Sequence, residues 1–521
     1  MDKLNVCLIN DSFPPEIDGV ANAVTNYARI INREHGRATV VTPSNPDADD
    51  SVFPFNVLRY PSVDMTRYVG YRAGMPFSAE VLGEIERSGF DIIHSHCPIT
   101  STMLARVVRE RIDAPVVFTY HTKFDIDIAN AVRGKLLQEE AARILAENIS
   151  ACDEVWTVSR GAGENLHKLG YKGDYIVMPN GVDFPKGRVS DELIAEVTQG
   201  VDLPEGVPVF LFVGRMMWYK GIRIILDALR ELADGGTDFR MVFIGGGTDR
   251  DEIIEYAESL KLGGRVHFCQ PIHDRERIRA WYCRADLFLF PSTFDTNGLV
   301  VREAAACALG SVLVAGSCAA EDVTDGVSGF LIEENAPSMA AKLRELCAAP
   351  EAMARIGEGA QRDIYMSWEE AVSRAYTRYF TVIDNYKRGL YPKHEKLSDE
   401  MFKTMANYLD SANRAKETQR RRAEELRRSY DELKSGLTEE RERLMFEMRI
   451  NRMAMKDDFD DTRARLREKL EAKCKKHVEL TVQTDPTLLG GIRLELPDRQ
   501  LDGSVQSHLS QIQQLLESSA L

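Results

Sequence analysis

Apolar positions in the first 185 residues fall into short continuous runs separated by longer segments of helical periodicity. The runs are Val6–Asn10, Ala38–Thr42, Asn56–Tyr60, Asp91–Ser95, Pro115–Thr119 and Glu154–Val158. A helix is predicted from about Val20 to Arg33, after a Pro/Gly loop at Asp11–Gly19. Runs apolar on both faces, alternating with helices, predict a parallel sheet covered on both sides. Residues 200–365 repeat the pattern with strands at Pro208–Gly214, Met241–Gly247, Gly264–Pro271 and Ala285–Pro291. A long helix is predicted over Ser367–Lys387. From 395 to 480 glycine and proline nearly vanish, Gly436 being the exception. A narrow stripe there, formed by Met401, Met405, Leu409, Ala412, Leu426, Leu433, Leu437 and Leu444, predicts a long helix or coiled coil.

Candidate chemistry concentrates at the predicted strand ends, where an open parallel sheet holds its ligands. Residues 285–310 read as strand, short loop and helix start, with Gly298 opening the helix. Free N–H groups at such a helix end suit a phosphate, and a glycine lets it approach. Asp295 lies before that helix and Glu303 in its second turn; two carboxylates flanking a phosphate site suit hydroxyl-rich groups on either side. Arg215 and Lys220 follow the Pro208–Gly214 strand beside another helix start, and such cations suit a diphosphate. Gly245 and Gly246 end the next strand. In the first half, Gly19 sits near a helix start and His121 at the end of the Pro115–Thr119 strand. His94 and His96 share one face of their strand, an arrangement open to a metal, but no acid or cysteine partner is evident and a structural or acceptor-side role is expected.

These residues carry a resemblance. Asp295, Gly298, Leu299, Glu303, Ala304 and Ala306 stand in the frame E-x-x-G-L-x-x-x-E-A-M-A of retaining glycosyltransferases of family 4. The first acid is shortened to Asp, and the usual Cys-Gly-x-Pro has become Cys307-Ala308-Leu309-Gly310. Asp11, Pro15, Gly19 and Val20 match that family's first loop, Thr119–Thr122 its histidine element, Pro179–Asp183 its hinge, Gly214–Gly221 its G-R-x-x-x-x-K-G and Gly326–Leu331 its G-x-x-G-F-L. The resemblance covers residues 4–388. It implies the GT-B fold: an α/β protein whose two Rossmann-like domains, 1–190 for the acceptor and 191–366 for the nucleotide sugar, face a cleft. A helix at 367–390 returns to the first domain. It implies a hexosyltransferase that retains anomeric configuration and needs no metal or cofactor. His121, Asp295, Arg215 and Lys220 would be catalytic, Arg215 and Lys220 holding the departing diphosphate. Gly19, Gly245, Gly246, Asn297, Gly298, Leu299, Val300 and Glu303 would complete the donor site, Glu303 on the ribose. Asp125-Ile-Asp127 mimics a metal motif of the other glycosyltransferase fold and is read as a surface loop. The motifs are closest to enzymes that glycosylate diacylglycerol-type or phosphatidylinositol-type lipids. The alternative is a non-catalytic scaffold of the same fold with a helical docking tail.

Composition narrows the setting. The chain has 521 residues, is 44% hydrophobic and carries a net charge of −15, which argues against a nucleic-acid partner. No apolar run reaches the roughly 18 residues of a membrane span, and the N-terminus reads as a strand rather than a signal peptide. Nine scattered cysteines with no C-x-x-C pair point to free thiols in a reducing cytosol. The Met65–Pro76 loop mixes aromatics, Met and Arg, and reads equally as a packed loop or a peripheral membrane contact. Beyond the 395–480 extension, residues 481–521 resemble the C-terminal element of the ATP synthase delta subunit. Asp485, Pro486, Leu488, Gly490, Gly491, Asp502, Gly503, Ser504 and Val505 carry that likeness. A small α+β cap is expected there, with residues 395–521 serving self-association or a helical protein partner.

Overall fold

The computed structural model describes every residue except 1–2, 17, 65–71, 76–77, 126–127, 129–133, 393–398, 484, 486–489, 497–498, 505–506, 512–513 and 515–521. Most of the Met65–Pro76 loop, Asp127 and much of the 481–521 cap therefore lie outside the described residues. So do the side chains of Met401, Met405, Leu409 and Ala412. The chain divides into two compact units, Met1–Ala406 and Asn407–Leu521.

The first unit contains two parallel sheets. One is built from β1 (Asn5–Ile9), β2 (Arg37–Pro43), β3 (Asn56–Tyr60), β6 (Ile92–Ser95), β7 (Val116–Tyr120), β8 (Glu154–Thr157) and β9 (Ile176–Val177), in the order β3-β2-β1-β6-β7-β8-β9. A small antiparallel ribbon of β4 (Ser62–Asp64) and β5 (Arg72–Gly74) lies beside it in sequence. The other sheet has β10 (Val209–Val213), β11 (Arg240–Ile244), β12 (Val266–Cys269), β13 (Leu287–Phe290), β14 (Ser311–Val314) and β15 (Phe330–Ile332), in the order β12-β11-β10-β13-β14-β15. β1, β7, β11, β13 and β14 are buried along their whole length, as their unbroken apolar runs require. In each sheet the order reverses beside the first strand, between β1 and β6 and between β10 and β13. The loops leaving those strands diverge and open a crevice there.

The Trp368–Lys387 helix belongs to the core of the first sheet, although the chain reaches it only after the second. Trp368, Ala371, Val372, Ala375, Tyr376, Tyr379 and Val382 are buried with Leu4, Val6, Leu8 and Trp156. The Tyr376 hydroxyl accepts from the Leu4 amide at 2.8 Å. Across the two sheets, the Glu321 carboxylate accepts from the amides of Arg160 and Gly161 at 2.6 and 2.5 Å, capping the Arg160–Lys168 helix from the opposite domain. The first helix runs from Gly19 to Ile30 and passes into a π-turn over Ile31–His35, rather than ending at Arg33. The eight cysteines with described side chains are free.

The second unit holds most of a 76-residue helix, Asp399–Cys474, and an antiparallel hairpin of β16 (Gly491–Leu496) and β17 (Arg499–Ser504). Among the described residues no helix is long and apolar enough to cross a membrane.

Candidate active site

A cavity of about 630 Å³ lies at the carboxyl ends of both parallel sheets. Asn10, Asp11 and Ser12 reach it from the end of β1, His96 from β6, His121 from β7, Gly214 from β10 and Asp295 from the loop after β13. β1, β6, β10 and β13 flank the two reversal points and β7 lies next to β6, so topology brings the residues together. Of the residues expected from sequence, Gly19, His121, Lys220, Asp295, Asn297, Gly298, Leu299 and Val300 line the cavity. Arg215, Gly245, Gly246 and Glu303 are not among its lining residues.

Three helices begin at this cavity, and their first amides differ in what they meet. The Gly19–Ile30 helix is capped by Asp18, whose carboxylate accepts from Val20 and Ala21 at 2.8 and 2.7 Å. The Thr100–Ile112 helix is capped from β1 by Asp11, which accepts from the amides of Thr100 and Ser101 at 3.1 and 2.7 Å. The Leu299–Ala306 helix has Gly298 at its N-cap and no side-chain cap. An anion is therefore repelled by carboxylates at two helix ends and meets open N–H groups at the third. Gly19, expected to let a phosphate or an acceptor approach, sits beside a cap occupied by Asp18.

Lys220 supplies the cation at the third end. It closes a short 3-10 turn, Trp218–Lys220, and is itself buried. Its Nζ pairs with Asp295 Oδ1 at 2.6 Å, and Asp295 Oδ2 accepts from Ser292 Oγ at 2.6 Å. The next residue must be glycine: Gly221 has φ 75°, and a Cβ there would stand 2.5 Å from the Pro291 carbonyl oxygen. That close approach sets Lys220 against the loop carrying Asp295. Arg215, by contrast, is exposed. Asn297, with its amide turned to satisfy both neighbours, donates to the Val158 carbonyl and accepts from the Asn180 amide, each at 3.2 Å.

Each carboxylate oxygen of Glu303 has one partner, which leaves further acceptor capacity. Its Oε1 accepts from Arg275 Nη2 at 2.7 Å and its Oε2 from the Tyr282 hydroxyl at 3.1 Å. Burial pushes its carboxyl above the ordinary range, while Arg275 and Tyr282 pull against that. Gly245 and Gly246 belong to a backbone contact: the loop leaving β11 runs against the loop leaving β10, with Met216 donating to the Gly246 carbonyl at 2.8 Å. A Cβ on Gly245 would lie 1.9 Å from the Gly214 carbonyl oxygen. Gly245, expected with Gly246 to lie close to the nucleotide, thus also packs the loop leaving β11 against that leaving β10.

Histidines form the opposite wall. His96 Nδ1 lies 3.0 Å from His121 Nε2, so one ring donates and the other accepts. The remaining nitrogens, His96 Nε2 and His121 Nδ1, are buried with no protein partner. His94 is held between the Tyr379 hydroxyl at 2.6 Å and Thr119 Oγ1 at 2.7 Å. Both ring nitrogens of His94 are thus occupied by hydrogen bonds. Among the described residues no group of three or more His, Cys, Asp or Glu is arranged around a metal position. His96, for which a structural or acceptor-side role is expected, lines the cavity and meets its partner His121 from the neighbouring strand.

Burial keeps all three imidazoles neutral, His121 down at about 3 and His94 and His96 well below the usual value. Their folded pKa values lie below the unfolded one, so their stabilising contribution is complete above roughly pH 6.5 and is lost as pH falls below it. Each costs about 1.4 kcal/mol per pH unit in that range. Denaturant unfolding between pH 7.5 and 5.5 is expected to show a steeper loss in the parent than in His94→Phe, by about one proton's slope. Equal slopes would mean that His94 titrates normally in the folded protein.

Known proteins agree with this geometry. Residues 17–185 match the description "Glycosyltransferase Family 4" and residues 195–363 match "Glycosyl transferases group 1". Residues 418–516 match "ATP synthase delta (OSCP) subunit". The D-inositol 3-phosphate glycosyltransferase of Xylanimonas cellulosilytica is 31% identical over 314 residues, covering 57% of this chain and 74% of that protein. The alpha-monoglucosyldiacylglycerol synthase of Streptococcus pneumoniae is 22% identical over 408 residues, covering 77% and 91%. Among solved structures, sucrose-phosphate synthase from Thermosynechococcus elongatus superposes with a TM-score of 0.56 at 19% identity, over 73% of this chain and all of that one. Anabaena HepE, solved with UDP, gives 0.54 at 18% identity, over 74% and 99%. A GT-B pair of domains with these relatives and this cleft has one family to answer to: the chain is a group 1 glycosyltransferase and belongs to glycosyltransferase family 4.

Proposed function

We propose that the protein moves a hexosyl group from a nucleoside-diphosphate sugar to a hydroxyl of a glycolipid-type acceptor, with retention of anomeric configuration and without a metal or cofactor. The observation that carries this reading is the pairing of an uncapped helix end at Gly298 with the buried Lys220–Asp295 ion pair. The amides of Leu299 and Val300 and the Lys220 ammonium receive the diphosphate, and exposed Arg215 adds charge from the rim. Lys220 has three donors, so it can keep Asp295 while gripping a phosphate oxygen. Asp295 and the free His121 nitrogen accept or donate to hydroxyls of the sugar between them. The acceptor hydroxyl attacks the anomeric carbon from the leaving-group side. The bond to the diphosphate breaks, the new glycosidic bond forms, and the acceptor proton passes to a departing phosphate oxygen. Positioning and charge stabilisation supply the rate. Relatives named for inositol phosphate and diacylglycerol acceptors support the acceptor class. The same reading makes this a cytoplasmic enzyme working peripherally at the inner face of a membrane.

The test is release of nucleoside diphosphate from a panel of nucleotide sugars, with dispersed diacylglycerol, monoglucosyldiacylglycerol or inositol 3-phosphate as acceptor, and NMR of the product anomer. An inverted product removes retention. No acceptor-dependent release with any pair removes the transfer reading. Glu303→Gln is expected to weaken UDP or GDP binding about tenfold by calorimetry, since the amide loses a charged acceptor while keeping its shape. Unchanged affinity for both nucleotides would exclude Glu303 from the ribose.

A further inference from the structure

The long helix of the second unit carries a stripe whose borders are all of one charge. Leu426, Tyr430, Leu433, Leu437 and Leu444 recur at alternating spacings of four and three, with Glu440 at the one polar step. All five apolar side chains are at least half exposed. The seven positions that border this stripe are 422, 427, 429, 434, 436, 441 and 443. Arg422, Arg427, Lys434, Arg441 and Arg443 occupy five of them, Ser429 and Gly436 the other two, and none is acidic. The acids of this stretch, Glu424, Glu425, Asp431, Glu432, Glu439 and Glu442, lie on the outer face.

Border positions decide which helices pair. In a parallel pair of this helix, Arg422 of one copy faces Arg427 of the other, while Ser429 and Gly436 face Lys434 and Arg441 and no acid is available to any of these cations. In an antiparallel pair the borders meet their own kind. Both arrangements set cation against cation, and the parallel one also sets Glu440 against Glu440. An apolar seam that excludes its own copy in either direction is specified for another chain. We infer that residues 422–444 are a docking helix for a partner protein that presents an apolar heptad stripe bordered by Glu and Asp. A membrane surface is the poorer occupant, because the stripe is one side chain wide and the outer face opposite it carries six acids, Glu424, Glu425, Asp431, Glu432, Glu439 and Glu442. The inference does not depend on the sugar-transfer reading.

The test uses the full-length protein and two labelled synthetic peptides of about 28 residues, each with Leu along its stripe. One has Glu at every border position and the other Lys. Fluorescence anisotropy is expected to show the acidic peptide binding about tenfold tighter at low salt. The combined change Arg427→Glu, Lys434→Glu and Arg441→Glu should reverse that preference, and Leu433→Glu with Leu437→Glu should remove binding of either peptide. The sedimentation coefficient should be the same for the parent and the Leu433→Glu variant. Equal affinity for the two peptides would overturn the proposal. So would a parent dimer dispersed by Leu433→Glu, or parent protein that spins down with phosphatidylglycerol vesicles when that variant does not.

Discussion

Replacing Lys220 with alanine is expected to lower the transfer rate by roughly 30- to 1000-fold, the equivalent of about 2–4 kcal/mol of barrier. The side chain is buried at the end of a tight turn, 2.6 Å from Asp295 and beside the uncapped Leu299–Ala306 helix. A preorganised cation in such a place costs no reorganisation as charge develops on the leaving group. Its removal also strands Asp295, whose remaining partner is Ser292. Lys220→Ala with Asp295→Asn therefore separates the two effects: the double variant should recover thermal stability without recovering rate. Arg215→Ala should cost less, near tenfold, because its exposed charge is screened by water. Single-turnover kinetics with saturating donor provide the measurement. Near-normal turnover in Lys220→Ala would take this residue out of the mechanism.

Gly245→Ala is expected to destabilise the protein by about 3 kcal/mol, combining backbone strain with displacement of a packed loop. Gly245 has φ 152°, and the added methyl would lie 1.9 Å from a main-chain oxygen that has no room to retreat. For a domain of this size the melting temperature should fall by roughly 6–12 °C. Gly246→Ala is the control, because its methyl would meet only the Pro271 ring, at 3.1 Å. A thermal melt of the two variants distinguishes packing from ligand approach. If Gly245→Ala melts normally but loses nucleotide binding, the glycine serves the donor after all.

Fold was legible wherever a strand is buried on both faces, because short continuous apolar runs such as those of β1, β10 and β13, bounded by turn residues, fit little besides a strand covered on both sides. β9, two residues long, and β14, four residues between Gly310 and Ala315, carried too little pattern to stand out. Residues near one another in sequence, Lys220 with Gly221 and Asp295 with Gly298, pointed to the right strand ends. What escaped sequence reading joins residues far apart. Asp11 caps a helix 89 positions later, and Arg275 and Tyr282 occupy Glu303 from a preceding helix. The His96–His121 hydrogen bond crosses two strands whose pairing no local pattern reveals. The glycine run at 245–247 is ambiguous for a related reason: the residue type is the same whether a ligand or a carbonyl takes the space.

The helix Trp368–Lys387 fills the core of the first sheet with residues that are made after both sheets. On the ribosome, β1 and the Gly19–Ile30 helix must wait while more than three hundred further residues are added before Tyr376 and Tyr379 can cover them. The second sheet needs no such latecomer, since its core residues run from Phe184 to Ile364. Its domain can close during synthesis while the first remains open, reversing the usual N-to-C order of folding. An apolar face of the nascent first domain is then exposed for most of translation. Chaperone demand, and the tolerance of the first domain to destabilising changes, should follow the arrival of this one helix rather than the order of the sequence.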